Sequence, residues 1–187
     1  AAADLDVAGW PTAYVSQVHG NDILWASAGG CVGEADAVLT RETEILVAVR
    51  TADCVPILVW GDAVVGAIHA GWRGLAAGII PKAIGMLAGE GPLMAVVGPS
   101  ISLERYEVGE EVVDGIARWT EPKHFVRRGP GKPHVDGGAA AVAQLVQAGV
   151  AKVDRLNICT WDDDRLWSHR RDGSAAGRQA GIVGRRC

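Results

Sequence analysis

Cys54 and His69 are the side chains in this sequence best placed to do chemistry together. Two apolar stretches separate them, Val55 to Trp60 and Ala63 to Ile68, and their length and β-branched content predict neighbouring buried strands. The thiol stands where the first strand begins and the imidazole where the second ends. A hairpin around Gly61-Asp62 therefore lets the two side chains meet. A thiol beside an imidazole is a nucleophile with its base. Cys54 taken alone reads equally well as a core thiol.

The residues after His69 add an electrostatic element. Gly71 breaks the strand, and Trp72 to Ala88 then predicts a helix, with Leu75, Ile79, Ala83, Met86 and Leu87 near a 3.6-residue period. A helix starting there points free N–H groups and a partial positive charge at the pair, and Arg73 stands at the same end. This corner suits an anion.

The surrounding chain sets the frame. Its 187 residues, 49% hydrophobic, suffice for one domain, residues 1–187, with a sizeable core. A formal charge of −4 argues against general affinity for nucleic acid or an anionic membrane surface and favours a small partner. No apolar run reaches the ~20 residues of a membrane helix, and Ala1 to Gly20 lacks the charged-then-apolar order of a signal peptide, so a cytoplasmic protein is expected. The four cysteines, at 31, 54, 159 and 187, show no CxxC spacing and read as thiols, with Cys187 incidental.

Taken in order, Thr12 to Val18 and Asp22 to Ala26 read as strands, with His19 at the turn between them. Ala28 to Thr40 is Gly-rich and reads as a loop carrying Cys31 as a buried small hydrophobe. Ile45 to Arg50 is a strand, and Pro56 places the Val55 strand at an edge or an irregular start. Leu93 to Val97 is a short strand, Glu110 to Trp119 a helix with a solvated acidic first turn, and Thr120 to Pro133 a surface loop with His124 and His134 near it. Asp136 caps a helix over Gly137 to Ala148, Val153 to Cys159 is a strand, Asp162 to Asp164 open a helical turn, and Gln179 to Val183 closes the fold. Arg170, Arg171 and Arg178 either bind phosphate or pair with Asp172 and Asp162 to Asp164.

Five blocks, in order, carry a resemblance: Gln17-Val18-His19-Gly20, Thr51-Ala52-Asp53-Cys54-Val55-Pro56, His69-Ala70-Gly71-Trp72-Arg73-Gly74, Tyr106-Glu107-Val108-Gly109, and Ser168-His169-Arg170-Arg171-Asp172-Gly173 with Gly177-Arg178. Together they resemble the YfiH family, also called the laccase-domain or polyphenol-oxidase-like family and regarded as purine nucleoside phosphorylases. The resemblance implies an α/β fold, a four-layer α-β-β-α sandwich of mixed sheets. It implies metal ligands at His19, Cys54 and His69, with zinc as the ion and copper as the alternative; three such ligands leave a tetrahedral ion one open position. It further implies phosphorolysis of adenosine, inosine and methylthioadenosine to free base and ribose 1-phosphate (or its methylthio analogue), with adenosine deamination alongside. Purine nucleoside and phosphate are then the partners, with no nucleic acid, membrane or protein partner implied. Arg73, Gln17, Arg170 and Arg171 become candidates for substrate and phosphate.

Two departures stand out. Family members carry roughly 50 further residues before the first block, where this sequence has little more than Ala1 to Trp10. Many relatives also have paired cysteines where Leu103-Glu104-Arg105 precede Tyr106 here. Two other readings stay open: a copper-dependent oxidase of phenols, and a metal-free cysteine hydrolase or deamidase using Cys54 and His69.

Overall fold

The computed structural model describes residues 7–186; residues 1–6 and Cys187 lie outside the described residues, and with them the expectation for that thiol. In chain order the strands are β1 (Thr12–Ser16), β2 (Ile23–Trp25), β3 (Gly30–Glu34), β4 (Ala37–Thr40), β5 (Leu46–Thr51), β6 (Val55–Trp60), β7 (Val65–Ala70), β8 (Met94–Val97), β9 (Val126–Arg127), β10 (His134–Val135), β11 (Lys152–Arg155) and β12 (Gln179–Gly184). The helices are α1 (Trp72–Ala76), α2 (Ile79–Met86), α3 (Glu110–Ile116), α4 (Gly137–Gln147) and α5 (His169–Asp172).

Strands that are apolar on both faces belong in a middle layer. In β6, Val55, Ile57 and Val59 join a core shared with the helices, while Leu58 and Trp60 pack against a second cluster on the other face. β7 divides likewise, Ile68 and Ala70 on one side and Val65 and Ala67 on the other. The two strands pair antiparallel, Val55 opposite Ala70 and Pro56 opposite His69, at the centre of a six-stranded mixed sheet ordered β11-β8-β6-β7-β4-β2. A four-stranded mixed sheet, β12-β5-β1-β3, covers one face through Ala13, Val15, Val47 and Val49. On the other face lie the helices, with Leu75, Ile79, Ile80, Ile116 and Leu145 fully buried, each worth about 1.5–3 kcal/mol of burial. Three of the expected layers are thus described, in the order helix, sheet, sheet; on the outer face of the four-stranded sheet Tyr14, Ser16 and Arg50 are exposed. No helix among the described residues is long and apolar enough to cross a membrane.

Several local expectations need correction. The helix expected over Trp72 to Ala88 is two, because Gly78 adopts φ +75° and the Trp119 ring lies against it, with the indole N–H donating to the Ala76 carbonyl at 3.0 Å. The Gly-rich run Ala28 to Thr40 forms β3 and β4, since pairing with β1 and β7 overrides its turn-prone composition. Cys31, on edge strand β3, is exposed rather than buried. Pro56 lies in a central strand: its carbonyl accepts from Gly98 N–H at 2.9 Å, so its missing donor faces the point just past Val97 where β8 has ended. The strand expected to reach Cys159 stops at Arg155. The loop from Thr120 contains a 3-10 turn, Pro122–His124, and strand β9 paired with β10. Asp162 to Asp164 form no helical turn; α5 begins later, where the Ser168 side chain accepts from Arg171 N–H.

Candidate metal centre

Three chain segments end at one place. His19 follows β1 in a left-handed conformation, φ +61°, and Cys54 precedes β6 directly after Asp53, itself at φ +85°. His69 is the next-to-last residue of β7, and the β6–β7 register sets Cys54 beside Gly71. One donor atom from each of His19, Cys54 and His69 lies within 4.8 Å of the other two. The two imidazoles meet edge to face, centroids 4.8 Å apart at 85°. His124 and His134 join no such group among the described residues.

A residue outside every sequence motif ties this corner together. Asp36 has no solvent exposure, and its carboxylate accepts Nδ1–H of His69 at 2.7 Å. It also accepts the backbone N–H groups of Val18 (3.3 Å), His19 (3.0 Å) and Gly20 (2.6 Å). One carboxylate thereby fixes the ring of one candidate ligand and the loop carrying another. With Nδ1 spent on Asp36, the Nε2 atom of His69 is left to face the centre.

Protonation follows from this packing. Burial disfavours the Cys54 thiolate, but hydrogen bonds from His19 and His69 and their charge outweigh it, and the thiol is lowered to about 7. Burial likewise opposes charge on His69, yet Asp36 and Cys54 overcome it and raise the imidazole to about 9. Burial also acts against the Asp36 carboxylate, which is nonetheless held below its ordinary value by His69 and the Gly20 and His19 N–H groups. Both shifts act in the direction of a thiolate beside an imidazolium. Gly71 completes the cradle: a Cβ there would lie 3.1 Å from His19 Cδ2, 3.3 Å from Cys54 Sγ and 3.8 Å from His69 Cε1. Two imidazole nitrogens, one of them backed by Asp36, and a thiol that ionises readily are a donor set that fits zinc.

The donors open on a pocket of about 630 Å³, lined also by Ser16, Gln17, Arg50, Thr51, His169 and Arg178. On the far side of Cys54 a cavity of about 50 Å³ is lined mainly by apolar side chains with Tyr106, whose hydroxyl is raised to about 12 by burial and by the charge of Cys54. Asp53 anchors the C-terminal segment to this corner, accepting from Thr160 Oγ1 and from the Arg170 backbone N–H, both at 2.6 Å.

The remaining candidates fall in different places. Gln17 reaches the pocket, but its carboxamide donates to Arg50 O and accepts from Arg50 N–H, both at 2.8 Å, which makes it a backbone clamp. Arg73 is exposed on the five-residue α1, 4.4 Å from the Trp72 ring, and does not line the pocket. Arg170 lies 5.1 Å from the Tyr106 ring and donates to Glu107 O at 3.1 Å. Arg171 is consumed by Asp172 and by the carbonyls of Thr160, Trp161 and Leu166, the structural pairing considered from sequence. Asp162 and Asp163 pair instead with Arg105 and Arg165. Sequence reasoning missed Asp36, Arg50 and His169. The first had a faint signal, a lone acid among small residues, while the other two ended a strand or sat in a motif without a role.

A mixed-sheet fold that gathers two imidazoles and one thiol at an open pocket defines a protein with a three-donor corner of the kind that could hold a metal ion. Residues 1–186 match the family described as multi-copper polyphenol oxidoreductase laccase, and the chain belongs to that family. Relatives include a purine nucleoside phosphorylase of Streptomyces coelicolor, 38% identical over 98% of this chain and 78% of its own length. One of Deinococcus radiodurans, with the same name, is 34% identical over 98% and 74%. Among solved structures, YlmD of Geobacillus stearothermophilus superposes with a TM-score of 0.91 at 31% identity, covering 100% of this chain and 77% of that one. A Neisseria meningitidis protein gives 0.88 at 34%, covering 99% and 79%.

Proposed function

We propose that this chain is a zinc-dependent purine nucleoside phosphorylase, cleaving adenosine, inosine and methylthioadenosine with phosphate and deaminating adenosine as a side activity. The observation that carries the reading is the convergence of His19, Cys54 and His69 at the floor of a pocket of small-molecule size. The names of the relatives, purine nucleoside phosphorylases, support the substrate class. A bound zinc would supply Lewis-acid stabilisation of negative charge developing on an oxygen. The chain's own residues do the rest. Cys54 and the imidazoles present their donors, Asp36 holds His69 in the correct tautomer, and the Gln17 clamp keeps the Arg50 end of β5 against β1.

Metal content of protein purified without supplementation, measured together with base release from adenosine and inosine, tests this. About one zinc per chain and base release that requires phosphate are expected. Base release without phosphate, or none from the zinc-loaded protein, refutes it. The thiol lowered to about 7 favours one second reading, Cys54 as nucleophile with His69 as base, and chelator-resistant activity would select it. The family description points to copper, but His19, Cys54 and His69 are the one group of possible metal donors among the described residues, against the several that a multi-copper cluster needs.

A further inference from the structure

The pocket above the metal corner is cationic, although the chain carries a formal charge of −4. Arg50, Arg178 and His169 line it beside the three donors, and no Asp or Glu does. Among the described residues, seven other arginines are ion-paired with an Asp or Glu. Among the described residues, the Arg50 guanidinium has no hydrogen-bond or ion-pair partner, and neither does the His169 imidazole. Arg178 spends Nη1 on the Ala176 and Gly177 carbonyls, at 2.8 and 2.7 Å, and meets no carboxylate.

Their placement is built in by the fold. Arg50 lies opposite Ala180 in the β5–β12 ladder, and Arg178 directly precedes β12, two residues from Ala180, so the arginines come from adjacent strand ends. Gln17 clamps the backbone on both polar atoms of Arg50, and Gln179 does the same to Trp167, accepting from its N–H at 2.9 Å and donating to its carbonyl at 3.2 Å, two residues before His169. Neighbouring cations with no acid between them repel unless an anion bridges them. Guanidinium forks match the oxygens of a tetrahedral dianion.

We propose that Arg50 and Arg178 form the phosphate subsite of this pocket, facing His19, Cys54 and His69, in place of Arg73. The proposal rests on the phosphorolysis reading for its role in catalysis but not for the binding itself. Both side chains are exposed, so Arg50→Gln, Arg178→Gln and the double variant keep the fold, which thermal unfolding checks. In the zinc-loaded enzyme each single variant raises the phosphate KM about tenfold to a hundredfold, the scale of one lost charged hydrogen bond, while the inosine KM moves less than about threefold. Arg178→Lys recovers part of the loss. An unchanged phosphate KM in both Gln variants, or an inosine KM that rises in step, overturns the proposal.

Calorimetric titration of chelator-treated protein with inorganic phosphate separates the two readings. Phosphate that binds wild type and not the double variant upholds the subsite even if no base is ever released. No binding to wild type, or equal binding to the double variant, removes the subsite and leaves phosphorolysis to be judged on base release alone.

Discussion

Replacing Asp36 by Asn removes one charge and almost no volume, and the hydrogen-bond geometry sets its cost. Oδ1 accepts from His19 N–H and His69 Nδ1, and Oδ2 from Val18 N–H and Gly20 N–H. Whichever oxygen becomes an amide nitrogen, it faces donors the carboxylate had satisfied: the part-buried N–H groups of Val18 and Gly20 on one side, the part-buried N–H of His19 and the buried His69 Nδ1 on the other. At about 1–3 kcal/mol for a buried donor left unpaired, and less for a donor that solvent reaches, the substitution costs about 1–3 kcal/mol, a sizeable share of the ~5–15 kcal/mol stability of a typical protein. The metal corner suffers separately, because His69 loses the carboxylate that orients it. Outer-shell losses of this kind weaken metal binding by about 10–100-fold. Competition of the protein with a zinc chelator, well below the midpoint of unfolding, measures the second effect. Thermal unfolding of the chelated protein measures the first. A merely structural carboxylate would lower the midpoint and leave zinc affinity untouched. Unchanged zinc affinity in Asp36→Asn therefore refutes the claim that this residue positions His69.

Other perturbations probe neighbouring parts of the same corner. Gly71→Ala keeps an allowed backbone (φ −70°) but sets a methyl 3.1 Å from His19 Cδ2 and 3.3 Å from Cys54 Sγ, so zinc affinity falls about tenfold while the circular dichroism spectrum stays that of wild type. Zinc uptake by the chelated protein releases more protons at pH 6 than at pH 8, because the thiol at about 7 ionises between them while the imidazole at about 9 keeps its proton. Zinc affinity therefore rises with pH over that range, and titration in two buffers of different protonation heat counts the protons; equal counts at pH 6 and pH 8 contradict the assignment. Gly78→Ala meets both φ +75° and the Trp119 ring and costs about 1–3 kcal/mol, read by urea unfolding, with zinc content unaffected.

How far the site could be read from the sequence depends on whether its cause is local. The Cys54–His69 pairing was legible because a two-strand hairpin is set by its own apolar runs and turn. The position of Arg73 was not legible in the same way: it follows Trp72 at the start of α1, exposed and 4.4 Å from that ring, outside the lining of the pocket. Arg50 looked like the unremarkable end of a strand. Its meaning appears only when β12 returns beside β5 and brings Arg178 with it, a pairing no local pattern announces.

His19 joined the set through the family motif and not through spacing, and Asp36 explains why. The imidazole faces the corner because the turn beneath it is wound around a carboxylate from between β3 and β4, the stretch that composition assigned to a loop. Pinning β4 against β7 brings that carboxylate to His69 as well, since the His69 N–H donates to the Asp36 carbonyl at 2.8 Å. Backbone and side chain of one residue thus bind the strand carrying one imidazole, while the same side chain shapes the turn carrying the other. The three-donor corner is in this sense a consequence of the β4–β7 ladder. A substitution that loosens that ladder should disturb His19 and His69 together, without touching either.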